Sequence, residues 1–179
     1  MNPKYEMRYA ITGFTSAGYG YVAGPLFSLI FGTLVLFTGS FADRYTRKYL
    51  LGFAAICWSI TTLGTSISHS FWAICLCRML LGVFESVCAP SAYSLIADYF
   101  PPEVRTTANA YFAGCIFVGA ALASASTAMI AGLGWRETYG IIGVYGVTAG
   151  LALIIFVTEP KRGSFDPQKF AEGDEKTGH

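Results

Sequence analysis

The chain has 179 residues, 54% of them hydrophobic and only 13% charged, with a formal net charge of +1. Soluble domains carry about 25% charged residues. Here the few charges gather in islands between long apolar stretches, which excludes an ordinary soluble domain and a basic nucleic-acid surface alike.

Residues 1–18 open the chain as an extracytoplasmic N-terminal segment. Met1–Arg8 is polar and charged, so no cleavable signal peptide is expected there, and Thr12–Gly18 reads as a loop by composition. A membrane domain over residues 19–158 follows, with helices expected at 19–41, 49–68, 71–97, 106–133 and 138–158. Each is long and apolar enough to cross a bilayer. Backbone groups inside lipid must be satisfied within the span, so these are helices; the alternation of a membrane barrel is absent. Pro90 predicts a kink in the third helix. The tail, residues 159–179, is rich in Gly, Asp, Glu and Lys and is expected to be disordered and cytoplasmic. The fold class is therefore all-α integral membrane, with five transmembrane helices.

Arg44, Arg47 and Lys48 follow the first helix, Arg105 the third, and Lys161 and Arg162 the fifth. By the positive-inside rule this richer side is cytoplasmic and the N-terminus lies outside. Trp72, Trp135, Tyr19, Tyr49, Tyr99 and Tyr139 fall near span ends, as an aromatic belt does, whereas Trp58 sits mid-span and is expected to pack.

Two constellations carry chemistry. The first is the short hairpin Gly39-Ser40-Phe41-Ala42-Asp43-Arg44-Tyr45-Thr46-Arg47-Lys48. Its cations can serve as topology anchors. Asp43 also stands beside Arg44 and four residues before Arg47, which permits a local ion pair, and Gly39 allows another helix to approach closely. The second is Arg78 and Glu85, seven residues apart and so on one stripe of a helix, about 10 Å apart along its axis. Charge inside a span is costly and faces a cavity or a partner. Glu85, near mid-membrane, is a candidate proton carrier, and an interhelical hydrogen-bonding pair is the structural alternative. Ala110 with Gly114, Gly119 with Ala123, and Gly146 with Gly150 have small-xxx-small spacing and read as packing seams.

No enzyme is indicated. His69 is placed in a hairpin and His179 is terminal, leaving no nucleophile–base or metal-ligand set within the spans. The five cysteines all lie in apolar stretches and read as small packing residues. No cofactor or metal is expected.

The Gly39–Lys48 hairpin resembles the major facilitator superfamily signature G-x-L-A-D-R-x-G-R-[KR], departing from it at Phe41 and Thr46. In that family the loop is a cytoplasmic latch favouring the outward-facing state. The resemblance thus implies latch roles for Gly39, Asp43, Arg44, Arg47 and Lys48, with Asp98, Glu103 and Arg105 on the same face. Arg78-x-x-x-Gly82-x-x-Glu85, Ala89-Pro90 and Leu95–Phe100 are similar to the fourth helix of the spinster-like branch. Pro101–Arg105, Gly134-Trp135-Arg136 and Glu159-Pro160-Lys161-Arg162-Gly163 resemble the segments that follow. The matches correspond to helices two to six of the first six-helix half. They imply a secondary carrier for a small organic or lipid-like solute, coupled to protons or running down its gradient. Arg78 would engage an anionic group and Glu85 would carry the proton. The glycine-proline motif of drug antiporters is absent after Gly114. The expected partners are membrane lipid, a small-molecule solute and a second carrier half. The rival reading is a truncated, non-transporting fragment that binds or regulates a full-length carrier.

Overall fold

The computed structural model describes residues 7, 11, 13 and 15–165, without the side chains of 16, 22 and 40–43. Among the described residues, five helical spans are long and apolar enough to cross a membrane. The first combines α1 (Ser16–Tyr21), a π-helical turn over Val22–Leu26, and α2 (Phe27–Arg44). Pro25 lies inside the π turn; it has no N–H to offer the ladder, and the wider turn absorbs the interruption. The helix begins at Ser16, so part of the expected N-terminal loop is helical.

The second span is α3 (Arg47–Ile67). Where the sequence predicts one helix over 71–97, the chain forms α4 (Phe71–Glu85) and α5 (Cys88–Tyr99), joined through Ser86 and Val87. Both joining residues keep right-handed helical angles, with φ/ψ of −59°/−25° and −77°/−24°, so the break is a kink in the hydrogen-bond ladder and not a loop. The fourth span, α6 (Pro102–Leu133), starts four residues before its expected position, because Pro102 is well suited to the first turn of a helix. The last is α7 (Trp135–Phe156). Gly134 alone joins α6 to α7 at φ +104°, a value that strains any residue with a Cβ.

The tightest packing lies between α3 and α7. A Cβ on Gly143 would come within 2.6 Å of Leu63 Cγ, and one on Gly150 within 2.8 Å of Ile56 Cγ1; Gly146 meets Ser59 and Gly52 meets Ile154. Residues rise along one helix as they fall along the other, so the two run antiparallel. Gly146 and Gly150 thus form a packing seam. Gly114 and Gly119 on α6 have nothing within 4 Å of such a Cβ among the described residues, so the seams expected there are not formed.

Many large apolar side chains face outward, among them Leu36, Phe37, Ile67, Phe117 and Phe156, while Ser59, Ser86, Ser91 and Thr138 are enclosed. That inversion suits a lipid solvent, in which small residues let helices approach closely and apolar ones meet the chains. None of the 32 residues of α6 is buried. Toward the starts of α4 and α7, Ile74 and Trp135 pack with Ile11, flanked by Tyr19, Phe71, Ile130 and Tyr139. Trp135 is therefore a core residue and not a belt residue.

Candidate functional site

At the hairpin end, α2 stops at Arg44 and α3 starts at Arg47 across Tyr45 and Thr46. The first N–H groups of a helix need acceptors, and the Thr46 side chain supplies none. A distant carboxylate does so. Glu159 Oε1 accepts from the Arg47 N–H at 3.2 Å and Oε2 from the Lys48 N–H at 2.7 Å. A negative group at a helix N-terminus also complements the helix dipole.

The Arg47 side chain then turns inward. Its Nη1 lies 2.5 Å from Asp98 Oδ2 and its Nε 3.3 Å from Glu159 Oε1, with only 3% of the side chain exposed. Nη1 also donates to the Ser94 carbonyl at 3.1 Å and to Ser94 Oγ at 2.8 Å. Asp98 Oδ1 accepts from the Gly163 N–H at 3.0 Å, the Tyr99 hydroxyl donates to the Thr158 carbonyl, and Arg162 Nη2 donates to the Tyr45 carbonyl at 2.7 Å. Residues 159–165, expected within a disordered tail, are therefore docked against the starts and ends of the spans; residues 166–179 lie outside the described residues. Charge complementarity overrides a composition that, read locally, looks unstructured.

The other expected latch residues are placed unevenly. Arg105 Nη2 donates to the Ala97 carbonyl at 2.8 Å and so closes the C-terminal end of α5. Lys48 Nζ lies 5.4 Å from the centre of the Tyr49 ring. Arg44 and Glu103 are exposed, and Glu103 joins none of the hairpin's cations among the described residues. Gly39 has no neighbour within 4 Å of a Cβ built there, so no close helix approach uses it among the described residues. The Asp43 side chain lies outside the described residues. Sequence reasoning missed Glu159 as a member of this cluster. Its signal was the Glu-Pro-x-Arg-Gly run, read there as the close of a helix.

In the membrane interior, Arg78 Nη2 donates to Tyr19 Oη at 2.8 Å and to Tyr139 Oη at 2.5 Å. The guanidinium carbon lies 5.7 Å and 5.5 Å from the two ring centres, within cation–π range. Tyr19 comes from α1 and Tyr139 from α7, so three helices converge on one cation. Both tyrosines were expected in the aromatic belt; they solvate a charge instead. Arg78 Nε is buried and has no hydrogen-bond partner among the described residues. Glu85, the last residue of α4, is half-buried and makes no hydrogen bond or ion pair among the described residues, so the interhelical hydrogen bonding expected of the stripe is made by Arg78 and not by Glu85. Between the two charges, a Cβ on Gly82 would lie 3.2 Å from the Phe27 ring, which places the start of α2 over the stripe.

Among the described residues, no cluster of His, Cys, Asp and Glu could hold a metal ion. The arrangement offers a guanidinium held by neutral phenols and, about two turns along the same helix, a half-buried carboxyl group.

Comparison with known proteins places these features in context. The model of the Major Facilitator Superfamily matches residues 7–176. The sphingosine-1-phosphate transporter SPNS2 of Danio rerio is 34% identical over 149 residues, covering 81% of this chain and 27% of its own length. Protein spinster homolog 1 of Mus musculus is 36% identical over 133 residues, covering 72% of this chain and 25% of its own length. The chain thus spans about a quarter of the length of the curated relatives it matches. A bacterial homolog of the human lysosomal transporter spinster, solved inward-facing and unoccupied, superposes with a TM-score of 0.71 at 27% identity, over 86% of this chain and 38% of the other. The inward-facing, occupied form gives 0.69 at 26% identity.

Proposed function

This chain belongs to the Major Facilitator Superfamily, and we propose that it forms part of a proton-coupled secondary carrier for a lipid-like solute with an anionic head group. The observation that carries this reading is the Arg78–Glu85 stripe, with Arg78 held by phenols from two other helices. An ionised group kept within lipid at such cost is a functional site by default. The name of the sphingosine-1-phosphate transporter among the relatives supports the solute class. Arg78 pairs with the head group, and Glu85 takes up and releases the proton.

The Arg47–Asp98–Glu159 cluster acts in this reading as the latch that ties the cytoplasmic ends of the spans, with the C-terminus on the cytoplasmic side. Alternating access rocks one bundle against another around a midplane site, so a second carrier half completes the machine. A second reading, a non-transporting form that binds or regulates a full-length carrier, draws support from α6, none of whose residues is buried and most of whose surface is left open.

The test is sphingosine-1-phosphate binding by the detergent-solubilised chain, together with its uptake into proteoliposomes under an imposed pH gradient. Arg78→Ala is expected to weaken binding about tenfold or more, the scale of a lost charge-assisted pair. Glu85→Gln is expected to leave binding in place while removing the pH dependence of uptake. Binding unaltered by Arg78→Ala would overturn the role given to that residue. Binding without uptake by the chain alone favours the second reading.

A further inference from the structure

Two prolines interrupt the spans, and the chain treats them differently. Pro25 is absorbed by a π turn. Pro90 lies in the first turn of α5, where any other residue of a continuous helix would bond its N–H to the carbonyl of Ser86, four residues back. That carbonyl is left without its helical donor at a residue with 0% of its surface exposed. An unpaired carbonyl in such a place is costly.

The missing donor comes from another span. Thr38, on α2 and only 9% exposed, points its hydroxyl at the Ser86 carbonyl, with Oγ1 at 2.9 Å. The acceptor within its own helix, the Val35 carbonyl, is farther away at 3.2 Å. The rest of the kink repairs itself locally: Ser86 Oγ donates to the Val83 carbonyl at 2.7 Å, and the Val87 N–H turns to the Phe84 carbonyl at 3.4 Å. Among the described residues, only the Ser86 carbonyl in this kink draws on a different helix.

We propose that Thr38 is a positioning residue that replaces the proton donor removed by Pro90, pinning the kink of the third span to the first. The pin joins two sensitive places. Thr38 immediately precedes Gly39, where the charged hairpin begins, and Ser86 immediately follows Glu85. A displacement of the hairpin end of α2 therefore pulls directly on the turn that orients Glu85. The bond belongs to this chain's own backbone and holds whatever solute the carrier moves.

The experiment is a double-mutant cycle on the full chain in detergent, read by thermal unfolding and by amide hydrogen exchange. Thr38→Val, which keeps the shape and removes the hydroxyl, is expected to lower the midpoint by about 3 °C and to speed exchange at Phe84–Ser91 about fivefold. Thr38→Ser, which restores a hydroxyl, is expected to match the parent protein in both. In a Pro90→Ala background the new N–H at position 90 serves the Ser86 carbonyl, and Thr38→Val is then expected to change neither reading. Equal losses in both backgrounds would overturn the proposal, as would a Thr38→Val protein indistinguishable from the parent. Should Pro90→Ala fail to fold, the exchange pattern of Thr38→Val against Thr38→Ser decides. Faster exchange confined to residues 84–91 supports the pin. Unchanged exchange, or acceleration spread evenly over all spans, refutes it.

Discussion

Arg47 and Arg78 are both guanidinium groups in apolar surroundings, and they are stabilised by different chemistry. Arg47 has two carboxylates and a serine, and its ionic partners make removal of either side costly, since each would leave charge buried and uncompensated. Arg47→Ala is expected to lose about 3 kcal/mol of stability, measured by thermal unfolding in detergent, with Arg47→Lys intermediate because an ammonium cannot span both carboxylates in a fork. Arg78 has no carboxylate within ion-pair distance among the described residues; two neutral phenols and their π faces hold it. A cation solvated by neutral groups keeps its full charge available to an incoming anion, which is the property a carrier site needs. A cation already paired, like Arg47, is suited to holding structure together.

Among the elements, α3 and α6 are opposites. The face of α3 toward α7 is cut for backbone contact, with glycine opposed to bulkier side chains along an antiparallel seam. A branched side chain has no room there. Gly150→Val is expected to destabilise the bundle by about 2 kcal/mol or more through overpacking against Ile56 and the Gly52 carbonyl. The control is Gly114→Ala on α6, where a Cβ meets nothing within 4 Å among the described residues. That change is expected to stay within about 0.5 kcal/mol. Equal effects at the two positions, read by thermal unfolding of the same preparation, would contradict the seam.

As a whole molecule, the bundle is one-sided. Among the described residues, most enclosed positions lie on α3, α4, α5 and α7, while α6 stands at the margin with no buried residue. The two faces are distinguishable by native thiols. Cys115 on α6 is exposed and Cys75 on α4 is buried. Maleimide labelling in detergent is expected to modify Cys115 quickly and Cys75 only after unfolding; comparable rates at native conditions would mean that the bundle is looser than described. The hairpin end of the bundle is closed by residues far apart in the sequence, as the bond between Lys48 and Glu159 shows. A chain fastened this way is expected to lose order at that end as a unit and not one helix at a time.

Hydropathy and charge spacing alone settled that the chain is helical, crosses the membrane five times and keeps a charged stripe and a charged hairpin, because each of those is a property of some 20 neighbouring residues facing a uniform solvent. Which residues meet was not legible in that way. It depends on the rotation of each helix about its axis and on contacts between residues far apart in the sequence. Tyr19 and Tyr139 read as belt residues until the rotation of α1 and α7 turned them onto Arg78. Glu159 read as the first residue of a loose tail until the hairpin's unsatisfied N–H groups and Arg47 held it. The tertiary structure decided these pairings because an unmet charge or backbone group in lipid must find a partner wherever the fold can bring one.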